Sequence, residues 1–150
     1  MKPILVLVVV VLLQACNSVN ENSNSGFTIK TEKSSFTIQN QFSSKTLFIN
    51  NLGKDVSILN SSCGGPLFTL EKYENDKWIT AAEQPFCDAI PSEPLKVMNG
   101  KEINLVVSIE VATTSLSGQY RMKFNIIQSS ENDLLDEKYL LSNSFQIIKQ

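Results

Sequence analysis

The sequence has no histidine among its 150 residues. That absence removes every Ser–His or Cys–His nucleophile system and every imidazole metal site. Basic side chains are scarce as well, 13 against 15 acidic ones for a formal charge of −2, which argues against a nucleic-acid footprint. Nowhere does an apolar run approach the roughly 20 residues that a spanning helix needs. Cysteine occurs three times, with no CxxC spacing that would mark a redox motif and no four-ligand zinc pattern. No metal or cofactor site is expected. The length suits one globular domain of ordinary size.

What is present starts at the N-terminus. A single lysine, Lys2, precedes residues 4–13, which carry no polar side chain. Ten such residues make the hydrophobic region of an export signal and are too few for a span. Leu13-Gln14-Ala15-Cys16 follows at once. This segment resembles the lipobox of bacterial lipoproteins, with Gln14 where Ala or Ser is commoner. The resemblance implies cleavage after residue 15, acylation of the Cys16 thiol and anchorage to a lipid bilayer. Two or three acyl chains make a lasting anchor, because each buried CH₂ adds about 0.8 kcal/mol. Loss of Lys2 with the leader takes the charge from −2 to −3. Asn17 stands where Asp would resemble an inner-membrane retention signal, so the outer membrane is favoured where a cell has two.

Residues 17–26 (NSVNENSNSG) hold one apolar side chain, Val19, and cannot bury enough surface to offset their ordering entropy. They read as a leash of roughly 18 Å root-mean-square span. The expected organisation is a leader at 1–15, a lipidated cysteine and tether at 16–35, and a folded domain at 36–150.

From Phe27 onward the apolar period is two. In 103–111, Ile103, Leu105, Val107, Ile109 and Val111 share one face; in 120–126, Tyr120, Met122, Phe124 and Ile126 do. Both patterns predict half-buried antiparallel strands. Further strands are expected at 36–42, 46–50, 55–59, 67–73, 78–81 and 139–148, with a short edge strand at 27–31. Turn residues fall between them at 51–54, 74–77 and 99–100. Seven or eight strands without an amphipathic helix predict an all-β fold, an antiparallel β-sandwich.

The order Ile49-Asn50-Asn51, then Leu70 through Trp78, then Met98-Asn99-Gly100, then Gly118-Gln119-Tyr120-Arg121 resembles the bacterial immunoglobulin-like domains found in many lipoproteins. The resemblance covers roughly 36–148 and implies an Ig-like sandwich with a binding or structural role. Asn99-Gly100 stands where that family usually has Pro-Gly. None of these motifs is catalytic.

Cys63 and Cys87 remain after Cys16 is lipidated. An even pair in an exported domain reads as a disulfide, and closing about 25 residues contributes roughly 3–3.5 kcal/mol by chain entropy. Four of the five prolines (Pro66, Pro85, Pro91, Pro94) and Gly64-Gly65 lie between Cys63 and Pro94. Gly64, Gly65, Pro66 and Phe86 are therefore candidate binding-loop residues on the tied segments 61–66 and 84–91. Trp78 is expected to fill the core near the disulfide. Tyr120 resembles a tyrosine corner, whose hydroxyl bonds nearby backbone. Glu131, Asp133, Asp136 and Glu137 read as a solvated acidic hairpin, since their spacing lacks the glycine turn and alternating oxygens of a calcium loop.

Two functions compete. The first is a non-enzymatic envelope lipoprotein whose module meets a protein partner and no nucleic acid. The alternative is a proteinase inhibitor that acts through the tied loops 61–66 and 84–91. A hydrolase would need a Ser–Lys or carboxylate pair that no local motif indicates.

Overall fold

The computed structural model describes residues 26–111, 117–128 and 133–150. The leader, Cys16, the tether to residue 25, and Glu131 lie outside the described residues. The rest is all-β apart from one helical turn. Its elements are β1 (Phe27–Thr31), β2 (Ser35–Ile38), β3 (Gln41–Asn50), β4 (Val56–Ile58), β5 (Phe68–Glu74) and β6 (Lys77–Glu83). Then come β7 (Leu95–Val97), β8 (Lys101–Glu110), β9 (Gly118–Phe124), β10 (Ile126–Gln128), α1 (Glu137–Leu140) and β11 (Phe145–Lys149).

The strands form three sheets: β1-β3-β8, β10-β4-β7 and β2-β11-β9-β5-β6. Alternation decides which face each strand buries. Phe42, Ser44, Thr46, Phe48 and Asn50 of β3 point inward, and so do Tyr120, Met122 and Phe124 of β9. Aromatic rings from the two larger sheets meet in one core. Phe42 of β3 stacks on Phe145 of β11 with centroids 5.0 Å apart, and Phe48 of β3 meets Phe124 of β9 edge-on at the same distance. Phe36 closes edge-on against both Phe42 and Phe145. Such pairs add to the burial of the rings themselves.

Four expectations need correction. The 36–42 strand breaks at 39–40, and its halves join different sheets as β2 and β3. The period of two runs through the break because Ile38 and Phe42 are both buried. The 120–126 strand also changes sheet, at Asn125, whose amide donates to Leu67 O while its carbonyl accepts from Leu59 N. The 139–148 strand is instead α1 followed by β11, with Leu140 buried from the helical turn. Finally, the sheets are not wholly antiparallel. β11 pairs β2 in parallel, Gln146 opposite Ser35, because more than a hundred residues separate them and no hairpin dictates their direction.

β1 forms the expected edge strand, Phe27 opposite Asn50 of β3, with Phe27 and Ile29 in the core. Packing therefore begins nine residues before the expected domain boundary at 36. β3 also pairs with β8 over ten registers, from Gln41–Glu110 at one end to Asn50–Lys101 at the other. At about 3.3 Å per residue this ladder is roughly 30 Å long and gives the molecule two poles. Asn51 N donates to Gly26 O, so the chain enters the fold at the Asn50 pole.

Candidate functional site

The opposite pole carries the tied loops. Cys63 and Cys87 form a disulfide, with Cα atoms 5.1 Å apart. The 61–66 loop is fastened to itself: Ser61 Oγ donates to Gly64 O, Gly64 N donates to Ser61 O, and Ser61 N donates to Gly65 O. Gly64 and Gly65 have φ of +89° and +73°, a region open to glycine at little cost. The Gly-Gly pair is therefore what lets the chain double back in front of Pro66, whose position bridges Asn60.

The partner loop runs from Gln84 to Pro94 without regular structure and is pinned at several points. Gln84 Oε1 accepts from Phe68 N at 3.1 Å. The Pro85 carbonyl oxygen lies 3.0 Å from Cys63 Sγ. Cys87 N donates to Ser62 Oγ at 2.9 Å, and Asn60 Nδ2 donates to Glu93 O at 2.6 Å. Between these pins two large apolar side chains stand in solvent, Phe86 at 86% exposure and Ile90 at 93%. The other seven phenylalanines are all buried. Phe86 is thus held out by its backbone, in the one place where the chain spends a phenylalanine on the surface.

Two concavities adjoin the loops. A cleft of about 220 Å³ lies between the staple and the end of the β3–β8 ladder, lined by Gln41, Cys63, Gly64, Gln84, Pro85 and Glu110 among others. Gln41 Nε2 donates to Ser108 Oγ at 2.9 Å on its rim. A larger groove of about 540 Å³ runs between Leu59, Leu67 and the 91–94 segment. Its wall is mostly aliphatic and proline.

The structure gathers Cys63, Gly64, Gly65, Pro66, Phe86 and Cys87 at one pole and leaves the other two singled-out residues elsewhere. Tyr120 is fully buried on β9. Trp78 is not in the core. It sits half-buried on the outer face of the five-stranded sheet, its ring 5.1 Å from Tyr73 and 4.4 Å beneath the Arg121 guanidinium. Arg121 in turn pairs with Glu71 at 2.6 Å. The cause is alternation on an edge strand: Trp78 lies opposite Tyr73, on the face away from Leu70 and Met122.

The acidic segment divides among lysines. Lys123 Nζ donates to Glu137 Oε1 at 2.7 Å, and this bond holds the Glu137 carboxyl below its ordinary value. Asp136 lies 3.8 Å from Lys138. Among the described residues no group of three His, Cys, Asp or Glu side chains converges on a metal position. No helix among them is long and apolar enough to cross a membrane. Ile90 and the Asn60–Glu93 and Ser62–Cys87 pins escape sequence reasoning. In an irregular loop no period separates an exposed isoleucine from a buried one.

No protein family and no curated protein matches the chain. Among solved structures it is similar to a family 123 glycoside hydrolase from Clostridium perfringens that hydrolyses glycolipid glycans, at 11% identity and a TM-score of 0.39. That likeness covers 83% of this chain and 27% of the hydrolase, so the chain spans about a quarter of its length. It is also similar to AvmM, which catalyses macrocyclization in alchivemycin A biosynthesis, at 6% identity and a TM-score of 0.37, over 83% of this chain and 89% of that one. Likenesses this slight assign neither a fold family nor an activity.

Proposed function

We propose that this chain is a non-enzymatic lipoprotein of the bacterial envelope. An immunoglobulin-like β-sandwich, anchored through acylated Cys16, binds a protein partner with the disulfide-tied loops 61–66 and 84–91. The leader and lipobox motif support the anchor. The shared aromatic core of the two larger sheets supports the sandwich. The observation that carries the binding role is Phe86 and Ile90, both almost wholly exposed, on either side of the half-cystine that fixes their loop. A rigid aromatic on a pre-formed loop is a low-entropy anchor for an interface.

The polarity of the domain fits this reading. The tether joins at the Asn50 end of the ladder and the loops occupy the Gln41–Glu110 end, so the binding surface faces away from the bilayer. Two experiments test the proposal. Labelled palmitate is expected in the wild type and not in Cys16→Ala; label retained in the variant refutes the anchor. A photoreactive benzoylphenylalanine at position 86, in the native envelope, is expected to give a discrete protein adduct that the same probe at Met98 does not. Equal adducts at both positions, or none at 86, refute the binding loop.

A further inference from the structure

Building on the binding-module reading, we infer that the partner is a serine protease of aromatic primary specificity, and that residues 84–88 are an inhibitory loop whose Phe86 enters the specificity pocket. A protease cleft takes a peptide in extended form, pairs with its backbone, and admits one side chain into a pocket whose lining sets the preference. The loop offers a free backbone and one projecting side chain. It lacks regular structure over 84–87, and among the described residues no hydrogen bond ties the Phe86 backbone to the rest of the domain. Both neighbours of Phe86 are nevertheless constrained, Pro85 by its own ring, which fixes φ, and Cys87 by its disulfide and its bond to Ser62. Phe86 itself is 86% exposed.

Bracing on both sides separates an inhibitor from a substrate. A loop already held in its bound form loses little further entropy on docking, and protease–inhibitor complexes form with little backbone movement. Were the peptide bond after Phe86 cut, neither new end would leave. The N-terminal side stays attached to β6 and to Phe68 N through Gln84, and the C-terminal side stays attached to Cys63 through sulfur. The product is thus retained where the bond can re-form. Side-chain chemistry narrows the class of protease. Between Trp78 and Leu95 there is no lysine or arginine, while Glu83, Asp88 and Glu93 are all exposed. The loop therefore offers nothing to a protease that selects a basic side chain, and an aromatic ring to one with a hydrophobic slot.

The test uses the full-length chain in detergent against chymotrypsin, trypsin and elastase, read with small chromogenic peptide substrates. Competitive inhibition of chymotrypsin is expected, without inhibition of trypsin. Phe86→Arg, a change at a solvent-exposed side chain, is expected to weaken chymotrypsin inhibition at least about 30-fold, as loss of a central anchor does, and to create inhibition of trypsin. Met98→Ala, at the opposite pole, is expected to leave both values unchanged. The inference is overturned if the wild type inhibits none of the three, if chymotrypsin cuts after Phe86 at the rate of an ordinary substrate, or if Phe86→Arg inhibits as the wild type does. A position-86 adduct that persists while inhibition is absent rejects the protease and keeps the binding loop; absence of both rejects both.

Discussion

Two buried polar side chains of β3, four residues apart, behave in opposite ways. Asn50 is fully buried with its hydrogen bonds made: Nδ2 donates to Lys54 O and Val97 O, and Oδ1 accepts from Leu52 N. One amide thus ties the β3–β4 turn to β7. Asn50→Ala leaves two carbonyls and one amide without that partner and is expected to cost about 2–3 kcal/mol in urea unfolding. Thr46 is also fully buried, and its Oγ1 has no hydrogen-bond partner. Thr46→Val keeps the shape and removes the orphaned hydroxyl, so the free energy of unfolding is expected to rise by about 1 kcal/mol, with a higher midpoint. A lower midpoint would mean that the hydroxyl has a partner. Neither role was legible in the sequence, where Asn50 entered only as part of the Ile49-Asn50-Asn51 motif and Thr46 only as the start of a strand. Alternation says which way a side chain points and nothing of what waits there. Trp78 makes the same point from outside. Its size argued for the core, but its place on an edge strand beside Tyr73 put it beneath Arg121, the only arginine in the sequence.

Among the elements, those with an uninterrupted period of two were readable and those that change sheet were not. The faces of 103–111 and 120–126 came out as the pattern required, with Val107, Ile109, Tyr120 and Met122 buried. The breaks at 39–40 and at Asn125 left no mark, because side-chain direction survives a bend that sends the backbone to another sheet. The pairing of Cys63 with Cys87 was legible from parity and compartment; the pins that make the 84–94 segment rigid were not, since each is a contact between residues more than fifteen positions apart. Replacing both cysteines by serine is expected to lower stability by about 3 kcal/mol. It is also expected to speed amide hydrogen exchange in 84–94 while β3 and β8 stay protected, because their ten-register ladder and the Phe42–Phe145 and Phe48–Phe124 ring pairs lie outside the 63–87 loop. Faster exchange spread evenly over β3 and β8 would show that the disulfide holds the whole domain together.

At the scale of the molecule, Glu83, Asp88, Glu93 and Glu110 are exposed toward the loop end, whereas at the end where the chain enters Lys54, Lys96 and Lys101 stand among Asp55, Glu102 and Asp136. One of these lysines has structural work. Lys96 lies 2.9 Å from Asp55, whose carboxylate also accepts from Asn99 N, and these bonds, Lys96 first, hold the Asp55 carboxyl below its ordinary value. Glu137 is lowered in the same way by Lys123. A carboxyl lowered in the folded state stabilises it at pH values above the unfolded pKa, and that contribution disappears as pH falls through the folded value. Stability is therefore expected to be flat from pH 7 to about pH 5 and to decline below it, with Asp55→Asn and Lys123→Met each shallowing the decline. A decline beginning near neutrality would point to some other group.

The separation of the poles also fixes what an anchored molecule presents. In the proposed anchored state the loop end lies roughly 30 Å from the point where the chain enters the fold, a distance larger than the roughly 18 Å expected of ten such residues between anchor and domain. With the acylated protein in vesicles whose headgroups carry an energy-transfer acceptor, a donor dye at position 98 is expected to be quenched more than one at position 90. Met98 and Ile90 are both exposed, so either site takes a dye without disturbing the core. Equal quenching at the two positions would place the loops against the bilayer, where Phe86 and Ile90 would meet lipid before any protein reached them.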